Sequence, residues 1–374
     1  MGNSKVAFVG LGAMGWGMAT HLLRSGFPVV GYDVFKPVVD RLVAEGGEAA
    51  TSPRDAATKK NIETFVCMVA TLKQANSVFF DRDTGVVNNL PKHTTILLCI
   101  TASPEYVMDL RKQIDDFGRS DLGLIDCPVS GGANRAADGT LTILASGSSA
   151  ALAAADSVLQ CMSMNLHIIP GGIGSGSKVK LVHQIFVGVN IAVASEVIGL
   201  AMLAKLDIKE VYDEIMKGDG ASWLFGQRVP HMWALDQPPY SSLAIITKDM
   251  AMVTAYGRAH RYPLPLSSIV EQIFLITNSA GWGTEDDCAV LRLYLLGRGN
   301  IRSGSLADVK PASTSSVTVK TIKDLLVGVH LAATAEIVSF AQILGISSQL
   351  LYEVIKDAAG TNKIFMLAYP QMQS

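Results

Sequence analysis

Three glycines near the start of the chain have the spacing of a dinucleotide-binding turn. In the segment Lys5–Gly15, an apolar run predicted to be a strand is followed by Gly10, Gly12 and Gly15. In such a turn the first glycine permits the tight bend, the second lets backbone approach a pyrophosphate, and the third lets the next helix press onto the sheet. That helix directs unpaired N–H groups at the phosphates. The segment therefore predicts cofactor contacts at Gly10, Leu11, Gly12, Ala13, Met14 and Gly15.

An acidic residue ends the second predicted strand, about 20 residues after the glycines, where a ribose-binding carboxylate is expected. Asp33 would accept hydrogen bonds from a ribose 2′-OH and repel a 2′-phosphate. The alternative is an ordinary solvated carboxylate at a strand end. Lys36 is only a weak argument for NADP, because one lysine after an aspartate seldom overrides it. The sequence favours NAD as the cofactor over NADP.

A second glycine pair follows a strand further along the chain. Asp126 closes an apolar run, and Ser130, Gly131 and Gly132 come directly after it. The carboxyl ends of strands are where open α/β sheets bind ligands. A serine hydroxyl beside unshielded backbone N–H groups could hold a carboxylate, although a glycine-rich turn without a ligand has the same composition.

Lys180 lies about one turn into a long apolar helix, behind the glycine-rich loop 171–176. A lysine in this position either reaches the surface along its apolar stem or is partly desolvated and able to transfer a proton. Gln184 is one turn further on the same helical face, and His183 stands beside it. A lone histidine is more often a packing residue than a catalyst.

The order of elements predicts two kinds of structure in one chain. Short β-rich runs alternate with helical stretches up to about residue 168, which indicates an α/β domain with a doubly wound, mostly parallel sheet of Rossmann type. Beyond the glycine-rich loop the pattern is helical throughout. The predicted strands are 5–9, 28–33, 64–69, 94–100, 122–126, 140–146 and 165–169.

The helical part contains an internal repeat. Val179–Pro230 recurs as Val319–Pro370 without a gap, at a constant offset of 140, so that Lys180 aligns with Lys320. Ungapped recurrence over this length indicates duplication rather than similar composition. A Ser/Gly/Pro-rich stretch at about 300–318 reads as a linker. The predicted domains are therefore a dinucleotide-binding domain over 1–170, an all-helical domain over 171–300, and a partial repeat over 315–374.

Composition narrows the function classes. The chain has 374 residues and a net charge of -2, which gives no electrostatic case for nucleic acid or an anionic membrane. Its five cysteines have no CxxC spacing, so we expect reduced core residues, no metal site and a cytoplasmic location. The apolar run 185–204 is long enough to cross a bilayer, yet it contains Asn190 and Glu196 and is better explained as a buried helix.

Four motifs in the same order resemble the β-hydroxyacid dehydrogenase family, which includes 3-hydroxyisobutyrate, tartronate semialdehyde and L-threonate dehydrogenases. They are Gly10–Met18, Asp126–Gly132, Gly174–Gln184 and Thr247–Met250. The resemblance covers residues 1–290. It implies an NAD(P)-dependent enzyme that oxidises a small 3-hydroxy acid to the 3-oxo acid. The hydroxy acid would then be the partner molecule, and the short members of the family form homo-oligomers.

The resemblance also implies roles for single residues. Lys180 would be the general acid/base on the substrate oxygen, and Ser130, Gly131 and Gly132 would hold the carboxylate. On the cofactor side the implied residues are Thr101 near the nicotinamide, Lys248 over the cleft, and Val69 and Ala70 along the ribose.

Two departures from the family pattern bear on the substrate. The family commonly has asparagine one turn after the catalytic lysine, where this chain has Gln184, and Leu-Pro where it has Val69-Ala70. Both features resemble the threonate branch, so they favour a polyhydroxy acid. Imine reductases and decarboxylating phosphogluconate-type dehydrogenases are the alternatives, because the former share the fold and the latter have a duplicated helical domain. A non-enzymatic dehydrogenase-like scaffold is a further alternative, which the retained Lys180 disfavours.

The partial repeat is the other departure. In short members of the family the helical domain of a partner subunit completes each active site, and phosphogluconate dehydrogenases do this with a duplicated domain. The repeat would therefore replace a partner's helices in cis. Lys320 lacks a preceding glycine loop and Asp324 stands where Gln184 does, so the repeat should be structural.

Overall fold

The computed structural model describes residues 4–232, 239–295 and 316–372. The chain divides into two compact units, Met1–Lys180 and Leu181–Ser374, and the division falls inside one long helix. The predicted boundary at residue 170 lies at the end of the sheet instead, ten residues earlier. Most of the predicted linker at 300–318 lies outside the described residues.

The first unit is an α/β structure built on a nine-stranded sheet. Its strands are β1 (Lys5–Val9), β2 (Val29–Tyr32), β3 (Glu48–Ala49), β4 (Ile62–Cys67), β5 (Thr95–Leu98), β6 (Gly123–Asp126), β7 (Val129–Ser130), β8 (Leu141–Gly147) and β9 (Ser163–Ile168). Its helices are α1 (Ala13–Arg24), α2 (Lys36–Ala44), α3 (Pro53–Ala57), α4 (Leu72–Phe80), α5 (Pro104–Asp116), α6 (Gly132–Ala137) and α7 (Ser149–Met162).

The strand order is β3-β2-β1-β4-β5-β6-β8-β7, with β9 on β8. The pairs from β3 to β6 are parallel, while β8 runs antiparallel to β6 and β7. All seven predicted strands are present, with ends that differ by up to two residues. The sequence did not predict the two-residue strands β3 and β7, because such short pairings leave no alternation to detect.

The central strands are apolar on both faces because helices cover both sides of the sheet. Val6 and Phe8 of β1 belong to one buried cluster, and Ala7 and Val9 belong to another. Strand β1 lies between β2 and β4. The chain first extends the sheet on one side of β1, through β2 and β3, and then on the other side, from β4 onward. Such a switch point opens a crevice at the carboxyl ends of the strands.

The second unit is helical throughout its described residues. It contains the greater part of α8 (Ser175–Leu203), followed by α9 (Ile208–Lys217), α10 (Trp223–Met232), α11 (Leu243–Ala259), α12 (Pro265–Thr277), α13 (Leu291–Tyr294), α14 (Val319–Ile343), α15 (Ser348–Asp357) and α16 (Lys363–Met372). A π-helical turn at Asn278–Trp282 and a 3₁₀ turn at Asp287–Val290 lead from α12 to α13.

The helices α14–α16 reproduce the order of α8–α10. Helices α15 and α16 begin and end 140 residues after α9 and α10. The two copies also touch at equivalent positions, because Ser222 and Asn362 form an antiparallel bridge. Around it, Trp223 N donates to Thr361 O at 3.3 Å, and Lys363 N donates to Ala221 O at 2.9 Å. A contact between equivalent residues is what a local two-fold relation between the copies produces.

Among the described residues, two helices are long and apolar enough to cross a membrane by length and composition. They are α8, with 78% of its apolar window buried, and α14, with 39% buried. The burial of α8 agrees with the prediction of a buried helix over 185–204. A core helix passes the same hydropathy test as a membrane span, so this signal alone assigns neither helix to a bilayer.

Candidate functional site

The glycine turn after β1 has the shape that its sequence predicts. Gly10 has a φ of +96°, and a Cβ there would stand 2.3 Å from Met68 O. A Cβ on Gly15 would stand 1.9 Å from Gly10 O, so the third glycine lets α1 approach the turn. Gly12 caps α1, and a Cβ there would meet nothing within 4 Å. Backbone at Gly12 is therefore open to a ligand.

Asp33 follows β2 and holds this turn in place. Its Oδ2 accepts the Leu11 N–H at 2.7 Å, and its Oδ1 accepts the Phe35 N–H at 2.8 Å. Each carboxylate oxygen retains a lone pair, so both can still accept from a hydroxyl group. The nearby Lys36 forms a bidentate contact with Asp40 at 2.6 and 2.7 Å.

Three further predicted cofactor residues follow the neighbouring strands. Val69 and Ala70 come just after β4, and Thr101 comes shortly after β5. The Ala70 N–H is taken, since it donates to Gln74 Oε1 at 3.0 Å in the capping box of α4. The carboxyl ends of adjacent parallel strands meet at one edge of the sheet, so these residues share the edge with Gly12 and Asp33.

The predicted carboxylate cradle lies on β7 and the turn after it. Ser130 is buried, and its strand pairs with β8 through Ser130 opposite Thr142. Gly131 has a φ of +140° and Gly132 a φ of +76°. A Cβ on Gly131 would stand 2.9 Å from Arg135, whereas a Cβ on Gly132 would meet nothing within 4 Å. Backbone at Gly132 is therefore exposed to an approaching ligand.

The predicted acid/base, Lys180, is buried in the first turns of α8, with 5% of its surface exposed. Of the two alternatives that the sequence left open, burial excludes a lysine that extends along the surface. Burying a charged ammonium group costs free energy unless nearby groups pair with it. A buried lysine is therefore either neutral or paired.

Gln184 binds an acidic partner that sequence reasoning missed. Its Nε2 donates to Asp249 Oδ2 at 2.6 Å, and Lys248 Nζ donates to Asp249 Oδ1 at 2.8 Å. Both Gln184 and Asp249 are buried. Among the described residues, Gln184 Oε1 has no hydrogen-bond partner. The Lys-Asp pair at 248–249 was the available signal, since an acid beside a predicted site lysine invites a search for its partner.

His183 points at the repeat. It is fully buried, and its Nε2 accepts the Gly360 N–H at 3.0 Å. Asn190, two turns further along α8, donates its Nδ2 hydrogen to Gly360 O at 3.0 Å. The backbone N–H and C=O of one residue of the repeat are thus both bound by side chains of α8. This contact gives His183 a packing role, as a lone histidine usually has.

A second acid at a strand end, Asp126, is also tied to α8. It is fully buried, and burial raises its pKa to about 6 against the hydrogen bonds that it accepts from Ser177 and Ser146. The sequence signal was available here too, because Asp126 ends an apolar strand and a carboxylate inside a core needs donors.

One group of side chains has the spacing of metal ligands. The ligand atoms of His231, Asp286 and Cys288 lie within 4.8 Å of one another. However, Asp286 Oδ1 accepts the Cys288 N–H at 3.0 Å and Oδ2 accepts the Tyr240 N–H at 2.6 Å. Both oxygens of Asp286 thus already accept backbone hydrogen bonds. The absence of a metal remains a prediction.

Comparison with protein families agrees with the two units. The NAD-binding domain of 6-phosphogluconate dehydrogenase matches residues 5–171. A second family, described as the NAD-binding domain of NADP-dependent 3-hydroxyisobutyrate dehydrogenase, matches residues 174–294 and 315–374.

Individual relatives are dehydrogenases of hydroxy acids. L-threonate dehydrogenase of Cupriavidus necator is 34% identical over 292 residues, covering 78% of this chain and 96% of that protein. Mitochondrial 3-hydroxyisobutyrate dehydrogenase of Rattus norvegicus is 26% identical over 297 residues, covering 78% and 87%. The crystal structure of a 3-hydroxyisobutyrate dehydrogenase from Salmonella typhimurium superposes with a TM-score of 0.73 at 35% identity, covering 78% and 100%.

The fold, the glycine turn and these relatives define an NAD(P)-dependent oxidoreductase. The chain belongs to the β-hydroxyacid dehydrogenase family.

Proposed function

We propose that this chain oxidises a small 3-hydroxy acid to the 3-oxo acid, with Lys180 as the general acid/base. The observation that carries the proposal is the burial of Lys180 on a helix that starts behind a glycine loop. Lys180 belongs to the same unit as the Gly12 turn and the Ser130 cradle. A buried lysine in the unit that also carries both predicted ligand-binding turns supports proton transfer from a hydroxyl.

The glycine turn fits a dinucleotide. Backbone at Gly12 is open, and Asp33 keeps acceptor capacity for a ribose hydroxyl. Leu11, Thr101 and the segment Val69–Ala70 would line the same strand edge. When bound, the nicotinamide ring supplies a hydride acceptor.

The protein's own groups then perform the remaining work. Ser130 Oγ and the N–H groups of Gly131 and Gly132 would hold the carboxylate and so fix which carbon faces the cofactor. Lys180, neutral at that moment, would take the hydroxyl proton. Such positioning can lower a barrier by about 7–11 kcal/mol in favourable cases.

NAD is the cofactor that the contacts favour. Asp33 would accept a hydrogen bond from the ribose 2′-OH and would repel a 2′-phosphate. Lys36, the nearest candidate for a phosphate ligand, is held by Asp40. Lys248 would close over the cofactor, as in the family motif, while its ammonium group contacts Asp249.

Gln184 supports a polyhydroxy acid such as threonate as the substrate. Its amide nitrogen donates one hydrogen to Asp249, while its carbonyl oxygen, which has no partner among the described residues, would accept from a substrate hydroxyl. A substrate with an additional hydroxyl uses that acceptor, whereas 3-hydroxyisobutyrate has none to offer after its reacting group. The phosphogluconate-type alternative would give His183 a role at the substrate. It is less well supported, because the His183 side chain contacts the repeat at Gly360.

A screen of NADH formation tests the proposal. The purified chain is assayed with L-threonate, erythronate, 3-hydroxyisobutyrate, glycerate and phosphogluconate, each with NAD+ and with NADP+. We expect the highest kcat/KM for a sugar acid with NAD+, and a 3-oxo product by NMR. Activity confined to phosphogluconate, or reduction of a cyclic imine by NADPH without oxidation of any hydroxy acid, would contradict it.

We further propose that the chain has domains over 1–170, 171–300 and 315–374, and that the last of these, the repeat, replaces a partner's helices within the chain. The clamp on Gly360 and the bridge between Ser222 and Asn362 support this role. Deleting residues 310–374 should then abolish folding or activity, measured by circular dichroism and NADH formation. Retained folding and activity would contradict the role.

We place the enzyme in the cytoplasm, as its five free cysteines suggest.

A further inference from the structure

The buried carboxylate of Asp126 binds the start of α8. Its Oδ2 accepts the Ser177 N–H at 2.7 Å, and its Oδ1 accepts the Ser177 hydroxyl at 2.7 Å. Ser146 extends the network, since its Oγ donates to Asp126 Oδ2 at 3.3 Å and accepts the Gly176 N–H at 2.9 Å. Two N-terminal amides of α8, which have no partner within the helix, are thereby satisfied by β6 and β8.

The helix start also packs against the strands with no room to move closer. A Cβ on Gly176 would stand 2.3 Å from Leu144 O and 3.0 Å from Asp126 O. Any other residue would therefore push the helix away from β6 and β8. Lys180 follows Gly176 by four residues, so its position along the helix axis is set by this contact.

The same strands carry the carboxylate cradle. Strand β8 pairs with β6 through Ser146 opposite Asp126, and with β7 through Thr142 opposite Ser130. The segment from Asp126 to Gly132 therefore anchors α8 at one end and forms the cradle at the other. Because the two pairings lie on one continuous strand, β8, the fold fixes the span between the two ends.

We propose that Asp126 is a positioning residue that sets the distance between the substrate carboxylate at Ser130–Gly132 and the amine of Lys180. This inference rests on the proposed function. Asp126 would touch neither the substrate nor the cofactor and acts through α8. Burial raises its pKa to about 6, while the hydrogen bonds from Ser177 and Ser146 favour the ionised form.

The test compares three variants with L-threonate and with 3-hydroxyisobutyrate. Asp126→Asn replaces one acceptor oxygen by an NH₂ group that faces donors. Gly176→Ala displaces the same helix start but keeps the carboxylate chemically intact, with the new Cβ 3.2 Å from Asp126 Oδ2. Asp121→Asn is the matched control, because Asp121 stands just before β6 and pairs with Arg119 at 2.9 Å, away from α8. Each variant is measured for kcat, KM, NAD+ dissociation constant and melting temperature.

We expect Asp126→Asn and Gly176→Ala to lower kcat by about 10- to 100-fold with the NAD+ dissociation constant unchanged, the cost of misplacing a reacting group by about 1 Å. Asp121→Asn should lower only the melting temperature. Asp126→Asn with wild-type kcat and a lower melting temperature would show a merely structural role and overturn the inference.

Hydrogen exchange supplies a readout that needs no substrate. Peptides covering residues 174–182 should exchange faster in Asp126→Asn than in Asp121→Asn, since the Ser177 amide loses a carboxylate acceptor and the Ser146 hydroxyl that accepts the Gly176 N–H loses its own acceptor. Equal exchange in the two variants would overturn the inference. Failure of the proposed function itself is distinguishable, because Lys180→Met would then be as active as the wild type.

Discussion

Helices α8 and α14 begin the two copies of the repeat, yet their equivalent residues have different surroundings. Lys180 of α8 is buried, and Gln184 one turn later binds Asp249. The equivalent residues of α14, Lys320 and Asp324, are exposed and pair with each other. The same apolar pattern therefore builds the same helix twice, and the surroundings decide which copy can do chemistry.

Two neighbours account for the difference. A glycine loop precedes α8, and Gly176 lets its first turn reach the strand ends, whereas Thr318 caps α14 in a capping box without such a loop. Helix α11 follows the first copy and supplies Asp249 to Gln184. Duplication of a helix thus reproduces packing, while function depends on the elements before and after it.

The largest expected effect separates the two lysines. Lys180→Met should reduce turnover by at least about 100-fold, because general acid/base catalysis contributes about 10²–10⁴-fold. NAD+ binding should persist. Lys320→Met removes an exposed ion pair and should leave kcat unchanged. Steady-state NADH formation and NAD+ titration measure both variants, and equal activity of the two would refute the assignment of Lys180.

The second prediction concerns Asn190 and its equivalent, His330. Asn190 donates to Gly360 O, whereas neither ring nitrogen of His330 has a hydrogen-bond partner among the described residues. Burial lowers the pKa of His330 to about 4. Between pH 6.5 and 4 the unfolded chain therefore binds a proton that the folded chain does not, so stability falls as the pH is lowered.

The expected size of this effect is about 3 kcal/mol at full titration. Burial raises the pKa values of Asp126 and Asp287 to about 6, and those two groups act in the opposite direction, losing stability as the pH rises from about 4 to 6. Urea unfolding of His330→Leu and the wild type at pH 7 and pH 4 isolates the histidine. A difference between the two proteins that does not change with pH would contradict the prediction.

Local sequence rules predicted the parts of the molecule that are determined by local geometry. The turn at Gly10–Gly15 and the acid at Asp33 follow from spacing, because one strand and one helix fix their contacts. The partnership of Gln184 with Asp249 did not follow, since it joins side chains 65 residues apart. The clamp of His183 and Asn190 on Gly360 was equally inaccessible, because it depends on how two copies pack.

The third prediction compares equivalent glycines of the two copies. A Cβ on Gly360 would stand 2.8 Å from His183 Nε2, and a Cβ on Gly220 would stand 3.1 Å from the end of the Leu326 side chain. Leu326 can rotate away more easily than a buried imidazole that accepts a backbone hydrogen bond. Gly360→Ala should therefore cost about 2 kcal/mol of unfolding free energy, and Gly220→Ala less than about 1 kcal/mol. Equal losses in urea unfolding would contradict the asymmetry.

The smallest expected effect concerns Glu336 and its equivalent, Glu196. Glu336 accepts the N–H groups of Leu266 at 2.9 Å and Ser267 at 3.0 Å, so its charge stabilises the N-terminus of α12. Glu196 is exposed. Glu336→Gln should cost about 1 kcal/mol, because the amide presents a donor to a backbone N–H, and Glu196→Gln should stay within about 0.5 kcal/mol. If both changes shift the urea midpoint equally, the hydrogen bonds of Glu336 do not stabilise α12.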